Sequence, residues 1–202
     1  MKKYIAFVLT LVLVMTLSAC SCTKQTVSDP TISTTKPTTA PTVETEATEP
    51  SVGNGKTLPG TMEENINKIM EENPVEFMGG VIPLDLEDVS EDAQLAFESY
   101  TGLKTRDLIK EGAVYEPMMG SQAFSLVLVR VADAAKAEQV ARDMKTNINP
   151  RKWICVEADQ VMLAGYGDVV MFIMLDSQLG KTAQSYVDAF EKVCGAKPDF
   201  TF

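Results

Sequence analysis

Residues 124–131, Phe-Ser-Leu-Val-Leu-Val-Arg-Val, are the stretch that decides the fold. A nearly continuous apolar run of this length is typical of a strand in the centre of a sheet. Residues 113–119 just before it have strand character, and Gly120-Ser121 between the two carries the signature of a type II′ hairpin turn. The sequence therefore predicts a β-hairpin whose second strand is central.

The same order of elements occurs twice. Asp133 is a suitable N-cap for a helix that Pro150 ends, which completes a first hairpin–helix unit. Residues 161–164 and 169–175 form a second predicted strand pair, and Ser177 opens a second predicted helix. Two successive β-hairpin–helix units predict the α+β class, with helices packed on one face of an antiparallel sheet.

Further helices are predicted upstream of these units. A capping box begins at Thr61, and Pro74 ends the helix that follows it. Residues 90–100 and 106–110 have the start and stop signals of two more helices. We expect residues 61–202 to form one α+β globular domain.

The first 20 residues have the pattern of an export signal. Met1-Lys2-Lys3 precedes an apolar run that, at about 1.5 Å per helical residue, reaches only about 20 Å and is too short for a bilayer core of about 30 Å. The run ends in Leu17-Ser18-Ala19-Cys20, which resembles the lipobox of bacterial lipoproteins. The resemblance implies a signal peptide of residues 1–19, cleavage between Ala19 and Cys20, and acylation of the Cys20 thiol.

The lipobox resemblance also implies a location. A diacylglycerol-modified cysteine carrying chains such as palmitate holds a protein stably at a membrane, because each buried methylene contributes about 0.8 kcal/mol. The expected location is the extracytoplasmic face of the cell membrane. Residues 20–60 are expected to be a disordered tether, because half of the positions from Ser21 to Gly60 are Thr, Ser or Pro. The sequence leaves open whether the tether is glycosylated.

Charge and composition exclude several functions. Residues 61–202 carry 24 acidic and 13 basic side chains, a net charge of −11 that repels nucleic acid. Histidine is absent, which removes the Ser-His-Asp and Cys-His arrangements. The acidic residues between Glu87 and Asp92 lack the spacing of a calcium loop. We predict no catalytic residue, no metal site and no cofactor, and a protein that is not an enzyme.

Several segments resemble a known family. They are residues 114–119, residues 124–131 followed by Asp133, residues 153–156 and residues 166–174. Together they are similar to an uncharacterised family of small lipoprotein domains, a domain of unknown function from Gram-positive, Clostridia-like bacteria. The similarity covers about residues 65–195. It implies a compartment and a domain boundary, and it brings no catalytic residues.

A few residues are candidates for a role in binding. Trp153 and Tyr166 are the aromatic residues most suited to an exposed ligand platform, although buried packing is the favoured interpretation. The methionines at 118, 119, 162, 171 and 174 would either line an adaptable groove or, as we favour, fill the core. Cys155 and Cys194 form either a disulfide or two separate buried thiols, and their apolar surroundings favour the thiols.

These features favour a non-catalytic binding or scaffolding module in the cell envelope, contacting an envelope protein, a peptide or wall glycan. An exposed apolar patch near Trp153 or Tyr166 would support it. The alternative is a histidine-free glycan hydrolase that uses two carboxylates, either Glu157 with Asp159 or Asp168 with Asp176.

Overall fold

A computed structural model describes residues 55–202. The predicted signal peptide, the Ala19–Cys20 cleavage site and the tether as far as residue 54 lie outside the described residues. The helices are α1 (Met62–Glu72), α2 (Glu91–Thr101), α3 (Ala137–Asn147) and α4 (Ala183–Cys194). The strands are β1 (Gly79–Pro83), β2 (Ile109–Pro117), β3 (Phe124–Val131), β4 (Gln160–Tyr166), β5 (Val169–Leu175) and β6 (Phe200–Thr201). Within these residues no helix has the length and apolar character needed to cross a bilayer.

The six strands form one antiparallel sheet in the order β1-β2-β3-β5-β4-β6. The β2–β3 and β4–β5 hairpins meet at the centre, where Phe124 lies opposite Leu175 and Arg130 lies opposite Val169. Each hairpin is followed by a helix, α3 after the first and α4 after the second. The α+β class, the antiparallel sheet and the two hairpin–helix units are therefore confirmed.

Helices cover both faces of the sheet, not one face as expected. The side chains of α1 and α4 share a core with Phe124, Leu126 and their neighbours, and we call this the α1/α4 face. The side chains of α2 and α3 pack with Val127 and Val129 on the α2/α3 face. The reason lies in the strands, because all seven residues of β5 are buried and both faces need an apolar cover.

The folded domain starts earlier than Thr61. Leu58 is only 3% exposed and belongs to the core of the α1/α4 face. Arg130 holds the surrounding backbone, since its Nη2 donates to the carbonyl oxygens of Leu58 and Gly60 at 2.9 Å each. The folded part therefore extends to before the expected boundary at Thr61, because Leu58 is in the core and Lys56 forms an ion pair with Asp199.

Local signals set most helix ends. The capping box at Thr61 is present, with reciprocal hydrogen bonds to Glu64. The helix expected at 106–110 is wrong: a turn leads there into β2, because the buried Ile109 pairs with Val131 in the sheet. The helix expected at Ser177 is only a 3-10 turn, and α4 begins later, with Thr182 as its N-cap.

Candidate binding surface

The candidate residues lie at two opposite ends of the sheet. The described chain begins at what we call the proximal end, which carries Arg130 and Tyr166. The distal end carries Glu116, Ser125 and the segment around Trp153. Ser125 and Arg130 are five residues apart on β3, which at about 3.4 Å per residue separates the two ends by about 17 Å.

Trp153 and Tyr166 do not form one platform. Trp153 is half-buried against the α2/α3 face, and its indole Nε1 donates to Glu116 Oε2 at 3.4 Å at the distal end. Tyr166 is half-buried on the α1/α4 face at the proximal end, where Lys56 Nζ lies 5.5 Å from its ring centroid. The structure therefore separates the two predicted residues by both face and end, and only Trp153 remains a candidate for the surface described below.

A buried ion pair lies beneath Trp153. Lys152 Nζ is 2.7 Å from Glu116 Oε1, and the two side chains are only 9% and 11% exposed. Ser125 Oγ donates to the same Glu116 oxygen at 2.6 Å. The ammonium of Lys152 also lies 5.0 Å from the Tyr100 ring centroid and 5.2 Å from that of Trp153, which are distances for cation–π attraction. The pair fixes the segment of Trp153 onto the sheet.

Burial shifts the pKa values of Lys152 and Tyr100 in this cluster. Burial lowers the pKa of Lys152 from 10.5, against the opposing effect of Glu116, which raises it. Burial, followed by the charge of Glu116, raises the pKa of Tyr100. Sequence reasoning missed the pair because its members are 36 residues apart. The one available signal was Glu116, an acidic side chain within a strand.

The pair of Ser125 and Lys152 resembles a nucleophile beside a base, with 3.2 Å between Oγ and Nζ. Ser125 has no exposed surface, however, so a substrate carbonyl cannot approach its Oγ in this conformation. We therefore interpret the cluster as a rigid support for Trp153.

Exposed apolar side chains surround that support. Met78, Met118 and Ile154 are 76%, 73% and 80% exposed. Met118 is tied to Met78 by a backbone hydrogen bond of 2.9 Å, and Met119 beside it is also exposed. We call this group, together with Trp153, the distal apolar surface. Exposed apolar groups of this kind are typical of interaction sites.

The methionines divide between core and surface. Met171 and Met174 are fully buried in the central strand β5, as the core interpretation expected. That interpretation is wrong for Met118 and Met119, because they follow the last paired residue of β2 and lie in the turn.

Both described cysteines are free thiols. Cys155 is exposed and has a positive φ of 67°, so the expectation that it is buried is wrong. Its segment is an irregular loop that lines an open hollow of about 320 Å³ beside Trp153. Cys194 is half-buried, and burial together with the charge of Asp199 raises its pKa to about 12.

The four carboxylates of the hydrolase alternative do not form a catalytic pair as Asp168 with Asp176, and three of them have partners of another kind. Asp168 and Asp176 flank β5 at opposite ends and are separated by about 26 Å at about 3.3 Å per residue, too far for a catalytic pair. Glu157 forms an ion pair with Arg151.

Asp159 accepts hydrogen bonds from the backbone N–H and the hydroxyl of Ser177, which lower its pKa. No group of three or more acidic or cysteine side chains with metal-binding geometry occurs in residues 55–202.

No known family model matches this chain, and neither does any curated protein or any solved structure. The resemblance to the lipoprotein domain family remains a prediction from the quoted segments.

Proposed function

We propose that this protein is a lipid-anchored lipoprotein on the extracytoplasmic face of the cell membrane and that its α+β domain is a non-catalytic binding module. The anchor is supported by the sequence Leu17-Ser18-Ala19-Cys20 after a short apolar run. The module contacts an envelope protein, a peptide or wall glycan, and no nucleic acid.

The distal apolar surface is the observation that carries the binding role. Its methionines and Ile154 expose large apolar side chains that the core of the domain does not use. Methionine is flexible and polarisable and suits a surface that adapts to its partner. The ion pair of Lys152 and Glu116 lies beneath Trp153 and holds it in place, so this part of the distal apolar surface is preorganised.

The position of the first described residues indicates which end of the domain faces the anchor. Residues 57–60 are bound to Arg130 at the proximal end. A chain anchored at Cys20 therefore holds the domain by its proximal end. The distal apolar surface then lies on the side away from the attachment point, which is the accessible position for a partner in the envelope.

A photo-crosslinking amino acid at Ile154, in cells that make the full chain, tests this role. We expect a discrete crosslinked partner from position 154. The matched control is the same amino acid at Lys197, which is exposed between α4 and β6 near the proximal end. Equal crosslinking from both positions, or none from position 154, would contradict the proposal.

A further inference from the structure

The outer edge of β1 presents unused backbone groups. Met118 N–H donates to Met78 C=O, and Leu84 N–H donates to Gly112 C=O, each at 2.9 Å. Backbone groups alternate in direction along a strand, so the even-numbered residues of β1 face β2. Gly79, Val81 and Pro83 point to the opposite side. Within the described residues, no hydrogen bond is made by the N–H groups of Gly79 or Val81 on that side.

An open gap lies beside this edge. A Cβ atom placed on Gly80 would meet nothing within 4 Å. Met78 and Ile82 flank it on the same face of the strand, and they are 76% and 41% exposed. Opposite Gly80 lies Glu116, the residue that holds Trp153. The space above Gly80 is therefore open, and the side chains of Met78, Ile82 and Glu116 border it, so that a side chain from an added strand can enter it.

The chain segment that contains β1 carries only negative charge. Residues 69–103 contain nine acidic side chains and no lysine or arginine. Glu76 and Asp85, just before and after β1, are both exposed. Three cations from other elements lie in this region. Lys152 is neutralised by Glu116, and the charge of Arg106 contributes to the lowered pKa of Asp88 after the hydrogen bonds from Ser90. Lys110 is exposed on β2, two residues before Gly112, which pairs with Leu84. An incoming strand thus meets an acidic border at each end.

We propose that the free edge of β1 docks an extended polypeptide segment with an apolar centre and basic flanks, which adds a seventh strand to the sheet next to the Gly80 gap. This inference rests on the proposed binding function and names its partner class. The N–H and C=O groups of Gly79 and Val81 pair with the added strand, and the C=O of Pro83 accepts a further hydrogen bond. An apolar side chain opposite Gly80 fills the gap, while Lys or Arg residues face Glu76 and Asp85.

A second copy of this chain is a poorer occupant than a basic segment. Antiparallel pairing of two β1 strands brings Glu76 of one copy towards Asp85 of the other. Like charges in such positions are destabilising. Pro83 lacks an N–H, which limits self-pairing further. The occupant is therefore a different polypeptide.

The test uses the full chain purified in detergent and a synthetic peptide with a Val-Thr-Ile-Thr-Val core between pairs of lysines. We expect binding that slows amide hydrogen exchange at Gly79 and Val81 by at least about tenfold. The amides of Gly80 and Ile82 already face β2 and should change little. This alternation is specific to strand addition.

Two controls separate pairing from charge attraction. The first is the same peptide N-methylated on the residues that face β1, which keeps its charge but cannot pair. The second is Gly80→Val, which fills the gap without meeting any neighbouring atom within 4 Å of its Cβ. We expect each change to weaken binding about tenfold or more. Unchanged binding in both would mean that the acidic surface merely attracts a polycation, and it would overturn the inference.

Sedimentation of the protein alone provides another check. A dimer that Val81→Pro abolishes would show that a second copy occupies the edge of β1, and this result would overturn the inference.

Failure of strand addition can be distinguished from failure of the proposed binding function. If position 154 crosslinks a partner in cells but the peptide shows no alternating protection, the binding role stands and strand addition is wrong. If neither occurs, both are wrong.

Discussion

Two largely buried cations hold the proximal and distal ends of this domain. Arg130 is 15% exposed and binds the first described residues through its guanidinium, which also contacts Glu111 and Asp168. Lys152 plays the corresponding part at the distal end with Glu116. Neither contact follows from sequence spacing, because the partners lie between 19 and 73 residues away.

Arg130→Ala should destabilise the domain by about 2–4 kcal/mol, because it leaves partly buried carboxylates and two carbonyl oxygens without their donor. Urea denaturation measures this loss, and hydrogen exchange should show residues 57–60 opening first. The control is Lys192→Ala, whose pair with Glu72 is exposed and should contribute less than about 1 kcal/mol. Equal effects of the two substitutions would contradict the role of Arg130 as the clamp.

Lys152→Met should cost about 3–5 kcal/mol at neutral pH, because Glu116 stays buried without its cation. The double variant Lys152→Met with Glu116→Gln should recover most of that loss. If the lysine acted only by filling space, the double variant would show no such recovery. Urea denaturation of the wild-type chain, the single variant and the double variant measures the difference.

The pH dependence of Lys152 has a definite sign. Burial lowers its pKa in the folded state below the ordinary 10.5, so the unfolded chain binds more protons between the folded pKa and pH 10.5. The stability of the wild-type chain relative to Lys152→Met should therefore rise with pH across that window and stay constant below it. A fall in this difference would show that Glu116 outweighs burial. Urea titrations at several alkaline pH values measure it.

The thiols should react at very different rates. Cys155 is exposed, whereas the raised pKa of Cys194, about 12, leaves little thiolate at pH 8. Iodoacetamide should modify Cys155 much faster than Cys194 in the folded protein, as followed by peptide mass spectrometry. Similar rates would mean that Cys194 is not buried.

At the scale of elements, the sequence was most informative where burial is complete. The sequence predicts the bounds of the strands at 124–131 and 169–175 to the residue, because both are central and apolar except for Ser125 and Arg130. The short β6 was not predicted, since two residues carry no periodicity. The faces that the helices cover, and the separation of Trp153 from Tyr166, depend on the order of strands in the sheet. Local patterns do not encode that order.

Gly167, in the turn between β4 and β5, and Gly180, between β5 and α4, form a matched pair of glycines. Gly167 and Gly180 both have positive φ, so Ala at either position costs about 1–2 kcal/mol. A Cβ on Gly167 would also lie 2.0 Å from the backbone oxygen of Lys56, whereas Gly180 faces open space. Gly167→Ala should therefore be clearly more destabilising in thermal denaturation. Equal losses would show that residue 56 is not held against this turn.

In the whole molecule, an anchor predicted from the first 20 residues precedes a domain whose distal apolar surface is exposed. The anchor lies outside the described residues, so its support is the lipobox pattern alone. The domain is attached to the rest of the chain at its proximal end, and its exposed apolar side chains lie at the distal end.

Cys20→Ser should abolish lipid labelling and leave the signal peptide uncleaved, because the lipoprotein pathway requires the thiol. Cys22→Ser is the matched control and should be labelled and processed like the wild-type chain. Metabolic labelling with a fatty-acid analogue gives the readout. Loss of labelling only in Cys22→Ser would move the anchor to that residue.

Mass spectrometry of the N-terminal peptide from membrane-extracted native protein tests whether the chain is lipid-anchored. We expect a mature chain that begins at Cys20 and carries diacylglycerol on its sulfur. A chain that still begins at Met1, or one whose Cys20 is unmodified, would contradict it.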